Sequence, residues 1–361
     1  MRILVVHPGP NWSVADVHNG LVKGLEQCGQ DVRSFNLDDR LNVFAAGQVQ
    51  DADGAWHRMF NDDDAARLAA YTLKAELYGW WPDVVIFTSG FFIPPDMWGL
   101  LTYRPHHTVL WCTESPYEDE RQLGVARYVD TVILNDPVNI QAFRAINPRT
   151  WYFPHSYDPD IHHPGDPVPH WVCDFGWVGT GFQSRIDFFT HVDWRGVDVR
   201  LAGNWKLLRK NSRLRRYLLH DNPEACFDNA DTVRLYRSSK LSANVYRKEF
   251  IGTDIGIGAP WAAGPREIEL AAVGCFMLRE PRGEGDALFP HAPTFTEPGE
   301  FGDLVRYWAG HDEAREKIAD ENREAIADRT FQTTARRLLG LIEAAPKRHY
   351  LGATHGTQSR A

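Results

Sequence analysis

Short, almost continuously apolar runs that end in small or polar residues recur along this chain, and segments with helical spacing separate them. In the first half these runs are Arg2 to Val6, "PDVVIFTSG" (Pro82 to Gly90), "HHTVLWCTES" (His106 to Ser115) and "VDTVILND" (Val129 to Asp136). A strand buried on one face alternates apolar and polar residues, whereas a strand buried on both faces reads as an unbroken apolar run. Burial on both faces requires helices above and below the sheet, so the pattern predicts an α/β fold built on parallel strands.

The segments between the runs agree. Ser13 to Cys28 carries helical spacing (Val17, Leu21, Leu25, Cys28) and stops at Gly29, after which Asp31 to Phe35 reads as a second strand. Asn61 precedes three aspartates, a cap followed by acids that suit the positive end of a helix. Thr150 to Ser156 closes the half. From Pro154 to His170 the composition turns to Pro, His and Asp, which can continue neither a helix nor a central strand.

The alternation then restarts. Strands are predicted at Cys173 to Gly179, Val197 to Asn204, Leu241 to Tyr246 and Ala292 to Glu297, and two helices at Asp312 to Asp328 and Gln332 to Ala345. A chain of 361 residues suits two domains of roughly 150 to 180 residues each. The expected organisation is two Rossmann-like domains in tandem: an N-terminal domain over 1–155, a linker over 156–170 and a C-terminal domain over 171–331. A last helix and polar tail fill 332–361, the helix packing back on the first domain.

Net charge is −9, which argues against a general binder of nucleic-acid backbone. Five scattered cysteines with no Cys-x-x-Cys pair read as small core residues in a reducing compartment. No apolar stretch is long enough to span a membrane, and the first apolar run is too short for a signal peptide. The expectation is a cytoplasmic protein. The adjacent pairs His106-His107 and His162-His163 are poor metal sites, because neighbouring side chains diverge, and no metal is expected. Lys206 to Tyr217 holds six cations in twelve residues and reads as the charged face of an amphipathic helix.

Two stretches can carry chemistry, because ligands of open α/β sheets gather at the carboxyl ends of strands. In "FGWVGTGFQSR" (Phe175 to Arg185), Gly179 and Gly181 permit a tight strand-to-helix turn. Thr180 and Ser184 add hydroxyls there, and Arg185 lies within reach of an anion. Many strands end in such turns without binding anything. In "GPREIELAAVGCFMLRE" (Gly264 to Glu280), Gly264 gives a flexible entry, Pro265 suits the first helical position, and Gly274 ends a helix of about 14 Å. Glu269, one turn in, leans back toward the helix start, where it can accept hydrogen bonds from the two hydroxyls of a ribose. It can equally pair with Arg266 or face solvent.

These stretches, with "YRSSKLSANVY" (Tyr236 to Tyr246) between them, resemble in order and spacing the C-terminal domain of GT-B glycosyltransferases, the CgeB-like (spore-maturation-protein) group above all. "VDTVILNDPVNIQAFRAINPRTWYFPHSYDPDIHHP" (Val129 to Pro164) resembles that group's segment leading into the linker. The resemblance covers about Val129 to Leu341 and implies sugar transfer from a nucleoside-diphosphate donor (UDP, GDP or TDP) to a hydroxyl acceptor, in a cleft between the domains and without a metal or other cofactor. The acceptor can be a glycan, a protein or a small molecule. Glu269 falls where many such enzymes hold the donor ribose. Arg185 matches the basic residue facing the diphosphate, and Lys240 and Arg266 match further cationic positions. Trp205 follows the strand at whose end the base lies and is a stacking candidate, or simply a packed aromatic. Where retaining enzymes of the Glu-x7-Glu type carry a first glutamate, this chain has Trp261, which leaves stereochemistry open.

An inverting route needs a base for the acceptor hydroxyl. Asp16 is the first candidate and His18 the second, both after the first strand; Glu114, after another strand, is the third. The competing readings are a non-catalytic nucleotide-sugar binding protein and a GT-B-like sugar-nucleotide epimerase.

Overall fold

The apolar runs form the strands of two parallel sheets. The chain, seen in a computed structural model, is described over residues 1–10, 12–102, 106–249 and 259–345. It divides into two units: Met1–Phe153 with the helix Phe331–Glu343, and 154–249 with Ala259–Thr330. The polar tail expected from the sequence lies outside the described residues.

In the first unit, β1 (Arg2–Val6), β2 (Asp31–Phe35), β5 (Val84–Thr88), β6 (His107–Cys112), β7 (Thr131–Leu134) and β8 (Thr150–Tyr152) pair in parallel in the order β2-β1-β5-β6-β7-β8. A small antiparallel hairpin of β3 (Gln48–Gln50) and β4 (Trp56–Arg58), which the sequence did not suggest, stands apart. Alternate residues feed two cores. Leu4, Val6, Val85 and Phe87 face one layer, while Ile3, Val5, Ile86 and Trp111 face the other. Both faces are therefore apolar, as the unbroken runs require. The Phe331–Glu343 helix completes the second layer, with Phe331, Leu338 and Ile342 buried beside Leu21 and Leu25 of the Trp12–Gln27 helix. Asn61 caps the Asp62–Tyr71 helix as expected, its Oδ1 accepting from the Asp64 N–H at 2.8 Å.

The second unit holds β9 (Cys173–Val178), β10 (Val199–Ala202), β11 (Ser239–Asn244) and β12 (Phe276–Arg279), all parallel, in the order β10-β9-β11-β12. Two expectations fail here. The strand expected at Ala292 to Glu297 is reduced to one bridge between Arg279 and Thr294. Lys206 to Tyr217 is no amphipathic helix: it forms turns and one short 3-10 segment, Arg213–Tyr217. The segment buries Leu208 and Leu214 in the core, and just beyond it the Leu219 N–H donates to the Leu201 carbonyl of β10 at 2.8 Å.

His18 sits on the Trp12–Gln27 helix, 1% exposed, with Nε2 2.7 Å from Ser34 Oγ. Burial lowers its pKa to about 3, and the neighbouring His7 adds to the effect. Folding therefore keeps His18 neutral, while the unfolded chain takes up a proton below about pH 6.5, so stability is lost as pH falls through that range. Going from pH 7 to pH 5 is expected to cost about 2 kcal/mol through this residue alone. Denaturant titrations of the wild type and His18→Gln at both pH values should show that much less acid sensitivity in the variant.

Candidate functional site

The carboxyl edge of the second unit's sheet is built around one buried carboxylate. Gly264 is the N-cap of the Pro265–Val273 helix, and Glu267, at the third helical position, reaches back to it. Glu267 Oε2 accepts from the Gly264 N–H and from the Tyr246 hydroxyl, each at 2.7 Å. This is the carboxylate half of a capping box; glycine has no side chain to supply the other half. Glu267 is fully buried, and burial raises its pKa against the opposing hydrogen bonds from Tyr246 and Gly264. Tyr246 follows β11, so this bond fixes the helix start to the end of that strand. The Glu267 N–H donates to the Gly264 carbonyl at 3.1 Å. At the other end, Gly274 closes the helix in the left-handed conformation, φ 79°, as its position after Val273 implied.

Arg266 extends the anchorage across the sheet. Nη1 donates to Asn244 Oδ1 at 3.0 Å and Nη2 to the Val178 carbonyl at 2.7 Å, at the ends of β11 and β9. Its guanidinium lies 4.7 Å from the Trp177 ring centre, and that of Arg185 lies 5.3 Å from the same ring. The structure thus brings Gly179, Arg185, Gly264 and Arg266 together. Gly179 allows this approach: a Cβ there would come within 2.6 Å of Arg266 Nη2. Gly203 (φ +99°) packs backbone to backbone on Gly179, a Cβ at Gly203 falling 2.4 Å from the Gly179 carbonyl oxygen.

Arg185 is 8% exposed, and its Nε and Nη1 donate to the carbonyls of Val245 (2.9 Å) and Thr180 (3.1 Å). It braces two loops and contributes its charge from beneath the surface. Thr180 is exposed in the loop above it. The Ser184 N–H and hydroxyl are both taken by Glu249, at 2.9 Å each. Glu269 is half-buried on the Pro265–Val273 helix and makes no hydrogen bond or ion pair among the described residues. The carboxylates around it are engaged: Glu267 as above, Glu280 by the Tyr246 N–H (2.6 Å) and Glu284 by the Ala263 N–H (2.8 Å) and Arg329 (2.8 Å).

Two expected site residues lie elsewhere. Trp205 is fully buried, its Nε1 donating to the Ala202 carbonyl at 3.0 Å and its ring packed edge-on to Trp177. It has no face to offer a base and belongs to the core. Lys240 stands second in β11 and pairs with Asp174 at 2.8 Å, four residues before Asn244. At about 3.3 Å per residue it lies near the opposite edge of the sheet. Trp261 keeps an exposed indole against Gly283, whose added Cβ would come within 2.2 Å of Nε1.

In the first unit, Asp16 is half-buried on the Trp12–Gln27 helix and Glu114 half-buried in the turn after β6. His18, with a pKa of about 3, holds a proton too weakly to serve as a base near neutral pH. Two residues escaped the sequence reading. His7 follows β1 and is half-buried, its Nδ1 accepting from the Gly9 N–H at 3.2 Å; burial lowers its pKa while Asp38 and Asp39 oppose this. Its position after a strand, in "HPGP", was the available signal. Asp119 is wholly buried, and burial raises its pKa to about 6 although Asn139 and Ser115 donate to it. Nothing in the local sequence distinguishes it from a surface acid. Among the described residues no group of three or more His, Cys, Asp or Glu side chains could hold a metal ion.

Comparison with known proteins fits this geometry. Residues 185–340 match the family model described as glycosyl transferase-like. No curated protein matches the chain by sequence. Among solved structures, Anabaena HepE in complex with UDP-glucose superposes with a TM-score of 0.60 at 11% identity, covering 94% of this chain and 99% of that one. An E. coli trehalose-6-phosphate structure bound with UDP-2-fluoro glucose gives 0.60 at 11% identity over 96% and 100%. An alpha-glucosyltransferase in complex with UDP and a 13-mer DNA gives 0.58 at 10% identity over 95% and 99%.

The buried capping carboxylate yields a direct test. Glu267→Ala leaves the Tyr246 hydroxyl without its acceptor and the Gly264 N–H with only its 3.1 Å bond to the Tyr246 oxygen, and should cost about 1–3 kcal/mol of stability in denaturant titration. Glu267→Gln, which can still accept through its amide oxygen, should lose less. Residues 185–340 therefore form a glycosyl transferase-like segment, most of it in the second unit, and the chain as a whole has the two-domain Rossmann-like fold of the GT-B glycosyltransferases.

Proposed function

We propose that this protein is a glycosyltransferase that moves a sugar from a nucleoside-diphosphate donor, held at the carboxyl edge of the second unit's sheet, to a hydroxyl acceptor. The observation that carries the reading is Glu269. It is a half-buried carboxylate without a hydrogen bond or ion pair among the described residues, one turn beyond Arg266, on a helix whose start is fixed to β9 and β11. A carboxylate so placed accepts from the two hydroxyls of a ribose. The guanidiniums of Arg185 and Arg266 supply positive field for the diphosphate leaving group, which such charges stabilise without requiring a metal.

The three superposed structures hold UDP or a UDP-sugar, so UDP is the first donor to try, with GDP and TDP beside it. The CgeB-like group is the finer family reading, supported by the four stretches that resemble it in register. For the acceptor base we propose Asp16, with Glu114 as the second candidate; both are half-buried side chains. Cytoplasmic residence is supported by five cysteines that are all unbridged. No described helix is long and apolar enough to cross a membrane.

Isothermal titration with UDP, GDP and TDP tests the donor site, and binding of none of them would overturn it. Glu269→Ala should weaken the bound diphosphate by about 1–3 kcal/mol, the cost of leaving ribose donors unpaired. Unchanged affinity would remove the ribose role. Binding with no sugar release toward water or any acceptor would favour a nucleotide-sugar binding protein instead.

A further inference from the structure

β10 is an edge strand of the second unit's sheet; Leu218 bridges to it, and the basic run Lys206 to Tyr217 comes immediately before that bridge. The run contains Lys206, Arg209, Lys210, Arg213, Arg215 and Arg216 and no acidic residue. The run forms turns and one short 3-10 segment, Arg213–Tyr217, in place of the expected helix. Arg215 is spent on the carbonyls of Leu208 and Arg209, at 3.1 Å each. The other five are exposed, and none pairs with a carboxylate among the described residues. A protein of net charge −9 thus carries an unneutralised positive strip, whose field runs against that of the whole molecule.

The strip leads into an open groove of about 660 Å³ lined in part by His191, Asp193, Arg195, Arg213, Arg216 and Tyr217. Asp193 is already paired with Arg195 at 2.7 Å, so Arg213 and Arg216 give the lining a surplus positive charge. The groove lies where the Gln183–His191 helix ends and the chain enters β10, at the amino edge of the sheet. Lys206 follows the carboxyl edge, where Arg266 and Glu269 stand.

We propose that this surface binds an acidic glycan chain, a run of sugars bearing carboxylates or phosphates. Arginine forks match such anions bidentately, and the half-buried ring of Tyr217 offers an apolar face with a polar tip at the groove wall. A lipid surface fits less well, since Leu207 is the single exposed large apolar side chain of the run. A single-stranded nucleic acid would need a series of aromatic platforms, and the groove presents one. Binding stands independently of the glycosyl-transfer reading; only the further step, that such a chain is the acceptor, rests on it.

The test is titration of the full chain with oligogalacturonate, neutral dextran, phosphatidylglycerol vesicles and a single-stranded oligonucleotide. Oligogalacturonate should bind and dextran should not, and raising NaCl from about 50 to about 300 mM should weaken binding about tenfold or more, as screening requires. Arg213→Glu with Arg216→Glu, and the milder Arg213→Gln with Arg216→Gln, should each weaken it about tenfold or more in the first case and severalfold in the second. Nucleoside-diphosphate affinity, measured on the same samples, should not change. Failure of oligogalacturonate to bind, undiminished binding by both variant pairs, or tighter binding of vesicles or oligonucleotide would overturn the proposal. Loss of diphosphate binding alone in the wild type would instead overturn the donor-site reading and leave this one in place.

Discussion

The Glu267 carboxylate, buried at the start of the Pro265–Val273 helix, is the interaction on which the arrangement of the second unit's site depends. A buried carboxylate is costly unless hydrogen-bonded, and here two donors meet it, one from the helix's own cap and one from Tyr246 beyond β11. The pair of bonds leaves the helix one place to begin. Arg266, the preceding residue, is then delivered to the ends of β9 and β11, and Glu269, two residues on, stands half-buried on the same helix.

That edge is crowded with backbone. Gly179 and Gly203 touch with no side chain between them, and Trp177 and Trp205 fill the space beneath. Cations are set over this aromatic floor with their donors turned into protein carbonyls. Such guanidiniums are held rigid, and they contribute field rather than flexible contacts, which is the preorganised form of charge stabilisation. Glu269 is the contrast: a half-buried carboxylate with no hydrogen-bond partner among the described residues.

Much of this was legible in the sequence. The unbroken apolar runs became parallel strands with two apolar faces, Asn61 capped its helix, and the helix from Pro265 to Val273 has the ends that Pro265 and Gly274 announce. The acid in this helix that the fold truly buries is Glu267, not Glu269. Its spacing of three from Gly264 is a capping signal that local reading could have used. Trp205 and Lys240 were misplaced for a different reason. Whether a tryptophan after a strand faces a ligand or the core depends on what packs above it. Whether a lysine near a motif reaches the site depends on which end of its strand it occupies.

By itself, then, the sequence determined the strand and helix pattern, the two-part α/β organisation and the residue types gathered on the stretch from Gly264 to Glu280, because these follow from local periodicity and capping chemistry. Only the tertiary structure decided which charges share an edge. Parallel strands bring residues far apart in sequence side by side at their carboxyl ends, so Val178, Asn244 and Arg266 meet while Lys240, closer in sequence to Asn244 than either of the others, is carried to the far side of the sheet. The basic run from Lys206 to Tyr217 shows the same division: its composition was plain, but its turns and short 3-10 segment, with Leu208 and Leu214 buried in the core, were set by packing.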